Sequence, residues 1–355
     1  MKKRPASLFW IGTLLLVLGG CSPVFAIRAG WAEVKILSRR QPIARLIADP
    51  GLPAGRRAKL QLVLSARDFA ADELGLDAAR SYTTFSQLDS DTLAFVLSAA
   101  RKDSFEPYTW WFPFTGRVPY KGYFSEASAR RAVQDLERQG YDAYIRPTAA
   151  FSTLGWFNDP LVSPLLRYDS VSLANTVIHE IFHNTLYVPG HAAFNESLAQ
   201  FVGARGAIMF FCRTRPDPEL CTRSESAWAD EQRFGQFLTG LVDELEALYA
   251  RPDLSSGQKI SFREEVFSRA RLRFENEVRP GFLLTGYNGF LNTPLNNASL
   301  ISRVIYYRRL DLFEEVFQLS GGDLPLTIRR IVAAAEAGDD PWLAVESLLP
   351  ARAAP

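Results

Sequence analysis

Residues 172–187 read Ser-Leu-Ala-Asn-Thr-Val-Ile-His-Glu-Ile-Phe-His-Asn-Thr-Leu-Tyr, with His179-Glu180-Ile181-Phe182-His183 at the centre. The apolar spacing predicts a helix. At about 100° per residue, His183 falls roughly 40° from His179, so two imidazoles share one face a single turn apart. Val177, Ile178, Ile181 and Phe182 fall between about 160° and 300°, on the opposite face. One side can therefore enter a core while the other aims two ring nitrogens at one point, which is what a zinc ion needs from a helix. Glu180, about 100° from His179, sits beside the pair. It is placed to take a proton from a water at the metal rather than to ligate. The chain holds 3 His in 355 residues, at 179, 183 and 191, so the pair is not a by-product of a histidine-rich composition.

Two histidines leave a catalytic zinc short of the three protein ligands such sites usually supply. Two residues compete for the third place. His191 follows Pro189-Gly190 and does not meet the HExxHxxGxxH spacing of metzincins. Glu196 lies in Phe194-Asn195-Glu196-Ser197-Leu198-Ala199-Gln200-Phe201 and opens a second helix, with Asn195 as its expected cap. Tyr287, Tyr306 and Tyr307 are candidates for the donor that would steady a developing oxyanion.

The chain starts Met-Lys-Lys-Arg, runs apolar from Leu8 to Leu18 and then reads Gly19-Gly20-Cys21, the pattern of a secretory signal. Leu18-Gly19-Gly20-Cys21 resembles a bacterial lipobox, in which the cysteine is lipidated and becomes the new N-terminus. Ser22, by resemblance to Gram-negative sorting signals, points to the outer membrane. The expectation is a lipid-anchored protein on that membrane, facing the periplasm. Loss of residues 1–20 removes three of 40 basic residues against 39 acidic ones and leaves −2, so no charge bias favours nucleic acid. No later apolar run is long enough to span a bilayer. Cys212 and Cys221 flank a short Pro-containing loop, and an oxidising compartment favours a disulfide between them.

Along the rest of the chain, apolar stripes predict helices over 24–48 and 54–74, separated by Pro50-Gly51-Leu52-Pro53. Aromatic and β-branched runs predict strands at 92–97, 108–114 and 117–124. A helix capped by Ser125 and ending at Gly140 follows, then strands at 141–146 and near 151–157, the last a candidate edge for an extended peptide. Helices are expected over 224–250, 256–278, 298–318 and 324–347, with a Gly/Asn-rich loop from Gly281 to Asn297. The fold class is α+β, predominantly α-helical, with a small mixed or antiparallel sheet. The expected organisation is a signal over 1–20, an N-terminal helical segment over 21–90, an α/β half carrying the motif helix over 91–205 and a helical half over 206–355.

Several of these stretches together resemble a known family. They are the lipobox, Phe112-Pro113, Gly122-Tyr123-Phe124, Ser152-Thr153-Leu154-Gly155-Trp156-Phe157, the HExxH helix, Phe194-Asn195-Glu196-Ser197 and Leu291 with Asn296-Asn297-Ala298. The chain resembles the bacterial putative aminopeptidase family of zincin-like lipoproteins over most of its mature length. The Asn-Glu segment is similar to that of gluzincin peptidases, which carry a ligating carboxylate on the helix after the motif. The resemblance implies a zincin fold, one zinc per chain, a peptide or protein substrate, His179, His183 and Glu196 as ligands and Glu180 as base. Two departures stand out. There is no Gly-x-Met-Glu-Asn segment of the kind that holds a free amino terminus, and Gln200 stands where thermolysin-like enzymes carry an acidic residue. A rival reading is an envelope assembly or chaperone lipoprotein on a retained scaffold, which would have no need of Glu180 between the histidines.

Overall fold

The computed structural model describes residues 34–112, 116–149 and 158–350. The signal, Cys21, Pro113, the 151–157 stretch and the tail from Ala351 lie outside the described residues.

Residues 34–38 are helical, but the helix expected over 24–48 does not run through. Gln41–Pro42 is instead a short strand, β1, followed by α1, Ile43–Ala48. Pro42 has no amide hydrogen to continue a helix, and its neighbour pairs with Phe85. Helix α2, Ala54–Asp72, buries Leu60, Val63, Ala66, Phe69 and Ala70 along one stripe, as its apolar spacing demands. Strand β2, Thr84–Ser86, lies between β1 and the later β8, Leu161–Val162, in a small mixed sheet.

The second sheet decides which side chains reach the site. Its central strand is β3, Ala94–Ala100. Strands β4, Trp110–Phe112, and β5, Gly116–Val118, form a separate antiparallel pair. Strand β6, Tyr120–Tyr123, pairs antiparallel with β3, Ser98 opposite Tyr120. After α3, Glu126–Arg138, strand β7, Asp142–Thr148, covers the other edge of β3 antiparallel, Val96 opposite Arg146 and Ala94 opposite Thr148. Successive side chains alternate between faces. Leu97, Ala99, Ala143 and Ile145 therefore pack with Leu136 of α3 in one apolar cluster. Val96, Tyr120, Arg146 and Thr148 take the other face. Ser125 begins α3 as expected, although its side chain makes no capping bond.

The motif helix α4, Ser170–Thr185, starts because the Asp169 carboxylate accepts from Val171 N at 3.0 Å and Ser172 N at 3.1 Å. It packs against α5, Ala192–Met209, more closely than ordinary side chains would allow. A Cβ on Gly203 would stand 2.3 Å from Asn175 Oδ1, 2.9 Å from the Asn175 carbonyl and 3.1 Å from His179 Cβ; one on Gly206 would press on Ile178 and Leu74. Glycine there is a requirement of helix contact, not of backbone conformation. Val177, Ile178, Ile181 and Phe182 on the far face of α4 are essentially inaccessible.

After α5 the π-helical turn Phe210–Thr214 leads to the long helix α6, Pro218–Tyr249, capped by Asp217 and opened by Pro218. The Cys212–Cys221 disulfide closes this turn, as the two cysteines suggested. In the chain-entropy account a loop of this size contributes about 2–3 kcal/mol. Helix α7, Ser256–Arg273, begins on a capping box of Ser255 and Gln258 and runs on through a π turn to Val278. The Gly281–Asn297 stretch holds the short helix α8, Asn288–Asn292. Helix α9, Asn297–Val304, follows the Asn296 cap, then come α10, Leu310–Leu319, α11, Leu324–Ala337, and α12, Pro341–Glu346.

Two expected helices are thus each divided. The 298–318 run breaks because the Ile305 carbonyl accepts from Ser197 Oγ at 2.8 Å, and Arg308 N donates to Ser197 Oγ at 2.9 Å. The hydroxyl of α5 takes groups that a continuous helix would have paired. The 324–347 run breaks before Pro341, which disfavours helical backbone at Asp340.

A buried ion pair ties the sheet to the C-terminal helices. Arg263 of α7 donates to Asp142 of β7 at 2.7 and 3.2 Å. Asn297 N donates to the same carboxylate at 3.0 Å, and Asn297 Nδ2 donates to the Arg101 carbonyl at 2.8 Å. The fold is predominantly α-helical α+β, and its largest apolar cluster draws residues from Ile36 to Val345. Among the described residues no helix is long and apolar enough to cross a membrane.

Gly203→Ala should destabilise the protein by about 1–3 kcal/mol, because the backbone of α4 must move to admit the methyl. Gly55→Ala, where a Cβ meets nothing within 4 Å, is the matched control and should leave stability unchanged or slightly raised. Denaturant melts of the two variants check this; equal midpoints would contradict the close-crossing account.

Candidate active site

The crossing of α4 on α5 places three ligand-type atoms together. His179 Nε2 and His183 Nε2 are 3.3 Å apart. Glu196 Oε2 lies 3.5 Å from the first and 3.6 Å from the second. A tetrahedral zinc with bonds of about 2.0–2.1 Å needs its ligand atoms roughly 3.3–3.4 Å apart. The triangle therefore has the size and the donor types such an ion takes. All three residues are largely buried. His191 is at the N-cap of α5 and lines a different cavity, bounded by Phe105, Arg117 and Arg308. It does not join the group of His179, His183 and Glu196.

The segment carrying Glu196 is fixed side chain by side chain. Asn195, expected as a cap, is instead inside the first turn of α5. Its amide oxygen accepts from Val188 N and its Nδ2 donates to Val188 O, both at 2.9 Å. That double bond to the backbone clasps the loop between the two helices. Tyr120 of β6 donates its hydroxyl to Glu196 Oε1 at 3.2 Å, which leaves Oε2 turned to the imidazoles. Ser197 anchors the 305–308 turn, as described above. Gln200, one turn further on, donates to Glu231 Oε2 of α6 at 2.7 Å. The polar residues of this short stretch each hold a different element in register with the histidines.

The electrostatics follow from burial. Burial opposes ionisation of Glu196, but hydrogen bonding to both imidazoles outweighs it and holds the carboxyl well below the usual carboxylate range. Burial likewise disfavours a charged His183, yet its hydrogen bond to Glu196 and the field of nearby carboxylates raise its pKa. Glu180 is raised by burial, against the opposing pull of the two histidines. His183 Nδ1 is buried without a protein hydrogen-bond partner.

These residues line a cleft of about 430 Å³. Its walls include Glu180, Tyr120, Arg146, Thr148, Tyr306 and Glu231. Of the three tyrosines singled out by sequence, only Tyr306 lines it. Tyr287 stacks on Phe234 at 4.2 Å and Tyr307 packs edge-on against the same ring at 5.4 Å, in a second apolar cluster. Arg146 donates to the Tyr306 hydroxyl oxygen at 2.6 Å. Because arginine only donates, the phenol oxygen is the acceptor and its own proton is left to give elsewhere. The Tyr306 ring centre lies 6.2 Å from that of His179.

Tyr120, Arg146 and Glu231 were not singled out by sequence. Tyr120 and Arg146 reach the cleft through sheet register, and Glu231 through the packing of α6 on α5. The period-two pattern around Arg146 was the available signal for its face, but not for what that face meets.

No curated protein and no solved structure matches the chain. Residues 24–340 match the family described as putative aminopeptidase. The match covers most of the chain and spans the cleft, both helices that build it and the C-terminal helices as far as α11. The chain belongs to the putative aminopeptidase family.

Proposed function

We propose that this protein is a zinc-dependent peptidase, anchored by lipid on Cys21 to the outer membrane and working on peptides in the periplasm. The observation that carries the reading is the triangle of His179 Nε2, His183 Nε2 and Glu196 Oε2, with Glu180 on the same cleft wall. The family supports hydrolysis of a peptide substrate. The N-terminal Leu18-Gly19-Gly20-Cys21 supports the anchor.

His179, His183 and Glu196 would hold the ion. Zinc, when bound, supplies Lewis acidity that activates water and polarises a carbonyl. The remaining roles belong to the chain. Glu180, one residue from a ligand and not itself turned into the ligand triangle, accepts the proton of the attacking water and later delivers it to the leaving amine. Tyr306, its oxygen held by Arg146, donates a hydrogen bond to the carbonyl oxygen as negative charge develops there and keeps its proton. Tyr120 is already committed to Glu196 and serves to orient that carboxylate. The guanidinium of Arg146 adds a fixed positive charge to the same wall.

Glu180→Gln should keep the melting temperature and one zinc per chain while losing about 10²–10⁴-fold in peptide turnover, since the amide has nearly the same size but cannot take the proton. Turnover is measured on peptides drawn from a cleavage library, beside metal analysis. Unchanged turnover would sink the role given to Glu180, and a zinc-loaded wild type inert on every library peptide would favour a scaffold.

Metal content separates the two candidate third ligands. Glu196→Ala should purify well below one zinc per chain and His191→Ala at one. The reverse pattern overturns the assignment.

Intact mass of the membrane-extracted protein should show cleavage before Cys21 and an added lipid mass. A chain beginning at Met1 would refute the anchor.

A further inference from the structure

Arg146 enters the cleft from β7 with most of its hydrogen-bonding capacity unused. A guanidinium carries five N–H groups. Nη2 donates to the Tyr306 oxygen at 2.6 Å. Nε is buried without a partner. Among the described residues Nη1 makes no hydrogen bond, and no carboxylate forms an ion pair with the group. The field of Glu196 reaches Arg146, but that carboxylate is already engaged. Its Oε1 accepts from Tyr120, and its Oε2 faces the two imidazoles. The stretch 150–157 that follows the strand contains no Asp or Glu in its sequence. Other arginines withdrawn from solvent are satisfied within the chain: Arg263 by Asp142, Arg205 by Glu314, and Arg303 by Ser299 O and Thr293 Oγ1. A cation and its donors held in a protein wall without an acceptor are costly unless the acceptor comes from outside.

The position of Arg146 says where that acceptor must sit. Its Cζ lies 5.3 Å from the Tyr306 ring centre, and that ring centre lies 6.2 Å from the one of His179. One phenol ring thus separates the guanidinium from a member of the ligand triangle. The Tyr306 oxygen that takes Nη2 is also the one assigned above to the reacting carbonyl, so the guanidinium stands one hydrogen bond behind it. Successive residues of an extended peptide advance by about 3.3–3.6 Å. An acceptor at Arg146 therefore belongs to a residue flanking the reacting bond rather than to a remote part of the peptide. Of the groups a peptide can offer there, a carboxylate matches the planar fork in both charge and geometry, whereas a single carbonyl oxygen matches neither.

We propose that Arg146 binds a carboxylate of the substrate, carried by a residue next to the bond that is cut. Its source is the free carboxyl terminus of a very short peptide or an acidic side chain. This rests on the peptidase reading and names the class of peptide the cleft selects, one with an anionic group beside the reacting carbonyl.

The test is calorimetric binding to the full-length, zinc-loaded Glu180→Gln protein, in which turnover is suppressed. The probes are Leu-Ala-amide, Leu-Ala with its free carboxyl terminus, Glu-Ala-amide and Leu-Glu-amide. A carboxylate probe should bind about 10- to 100-fold more tightly than Leu-Ala-amide, the range expected for a hydrogen bond between charged groups. Preference for Leu-Ala assigns the site to a terminal carboxylate, and preference for a glutamyl probe assigns it to a side chain. Adding Arg146→Gln should erase the preference, and Arg146→Lys, which lacks the planar fork, should reduce it. Adding Tyr306→Phe should leave it in place, because the phenol is not the group that holds the anion. Equal binding of the four, or no measurable binding of any carboxylate probe, overturns the proposal. So does a preference unchanged by the Arg146 substitutions, which would put the carboxylate on the metal, and one lost in Tyr306→Phe, which would put it on the phenol. Zinc lost from both Arg146 variants would make Arg146 a support of the ligand set and overturns it too. Failure of the peptidase reading is seen separately, as wild-type protein that hydrolyses no peptide while the binding preference stands.

Discussion

The close crossing of α4 on α5 is the constraint on which the candidate site depends. Gly203 lets the Asn175 carbonyl and His179 Cβ come within ordinary contact of the α5 backbone, and Gly206 does the same for Ile178. Without that approach, two imidazoles on one helix and a carboxylate on the next could not converge to a triangle with sides of 3.3 to 3.6 Å. The crossing is driven from behind by the apolar face of α4, whose Val177, Ile178, Ile181 and Phe182 are removed from water. Burial of each such side chain contributes about 1.5–3 kcal/mol. The same helix thus uses one face to buy its position and the other to display the chemistry.

Bringing two histidines and three glutamates into one partly closed cleft has an electrostatic cost. The structure meets it with specific partners rather than with solvent. Tyr120 satisfies one oxygen of Glu196 and the imidazoles face the other. Arg146 sits within the field of Glu196 and is pinned to Tyr306. An ion bound among the three ligand atoms would offset the remaining negative charge. Glu231, which accepts from Gln200, gives the cleft a polarity: a carboxylate on the α6 side and a guanidinium on the sheet side.

The C-terminal helices do more than cover the core. Arg263 and Asn297 converge on Asp142, at the start of the strand that carries Arg146. Ser197, next to Glu196, takes the backbone of the turn that presents Tyr306. Asp230 holds the 283–285 backbone against α6, beside Glu231. Asp142, Ser197 and Asp230 each lie one to four residues from a side chain that lines the cleft. The buried polar groups are spent on register, which is where a site built from distant segments is weakest.

Local periodicity settled a good deal from the sequence alone. The i, i+4 relation of His179 and His183 is fixed within a single turn, and any helix over these residues must share it. The helical character of the chain, the strands near 94–100 and 142–148 and the pairing of Cys212 with Cys221 were legible for similar reasons of pattern, turn chemistry and compartment. The breaks in the helices at Gln41-Pro42 and Asp340-Pro341 also had a local cause, in proline. The break at Ile305 did not. It depends on a hydroxyl from α5, more than a hundred residues away. The same holds for the cleft wall. Asn195 reads as a cap by composition, but the loop before it offers its side chain two better partners at Val188. Tyr287, Tyr306 and Tyr307 look alike along the chain, and only the fold of the 281–309 segment sends Tyr306 into the cleft. Tyr120 and Arg146 enter through strand register, and Glu231 through the packing of α6. Sequence spacing fixes what neighbours on one element can do together; which elements meet is decided by long-range burial, which no short window of residues contains.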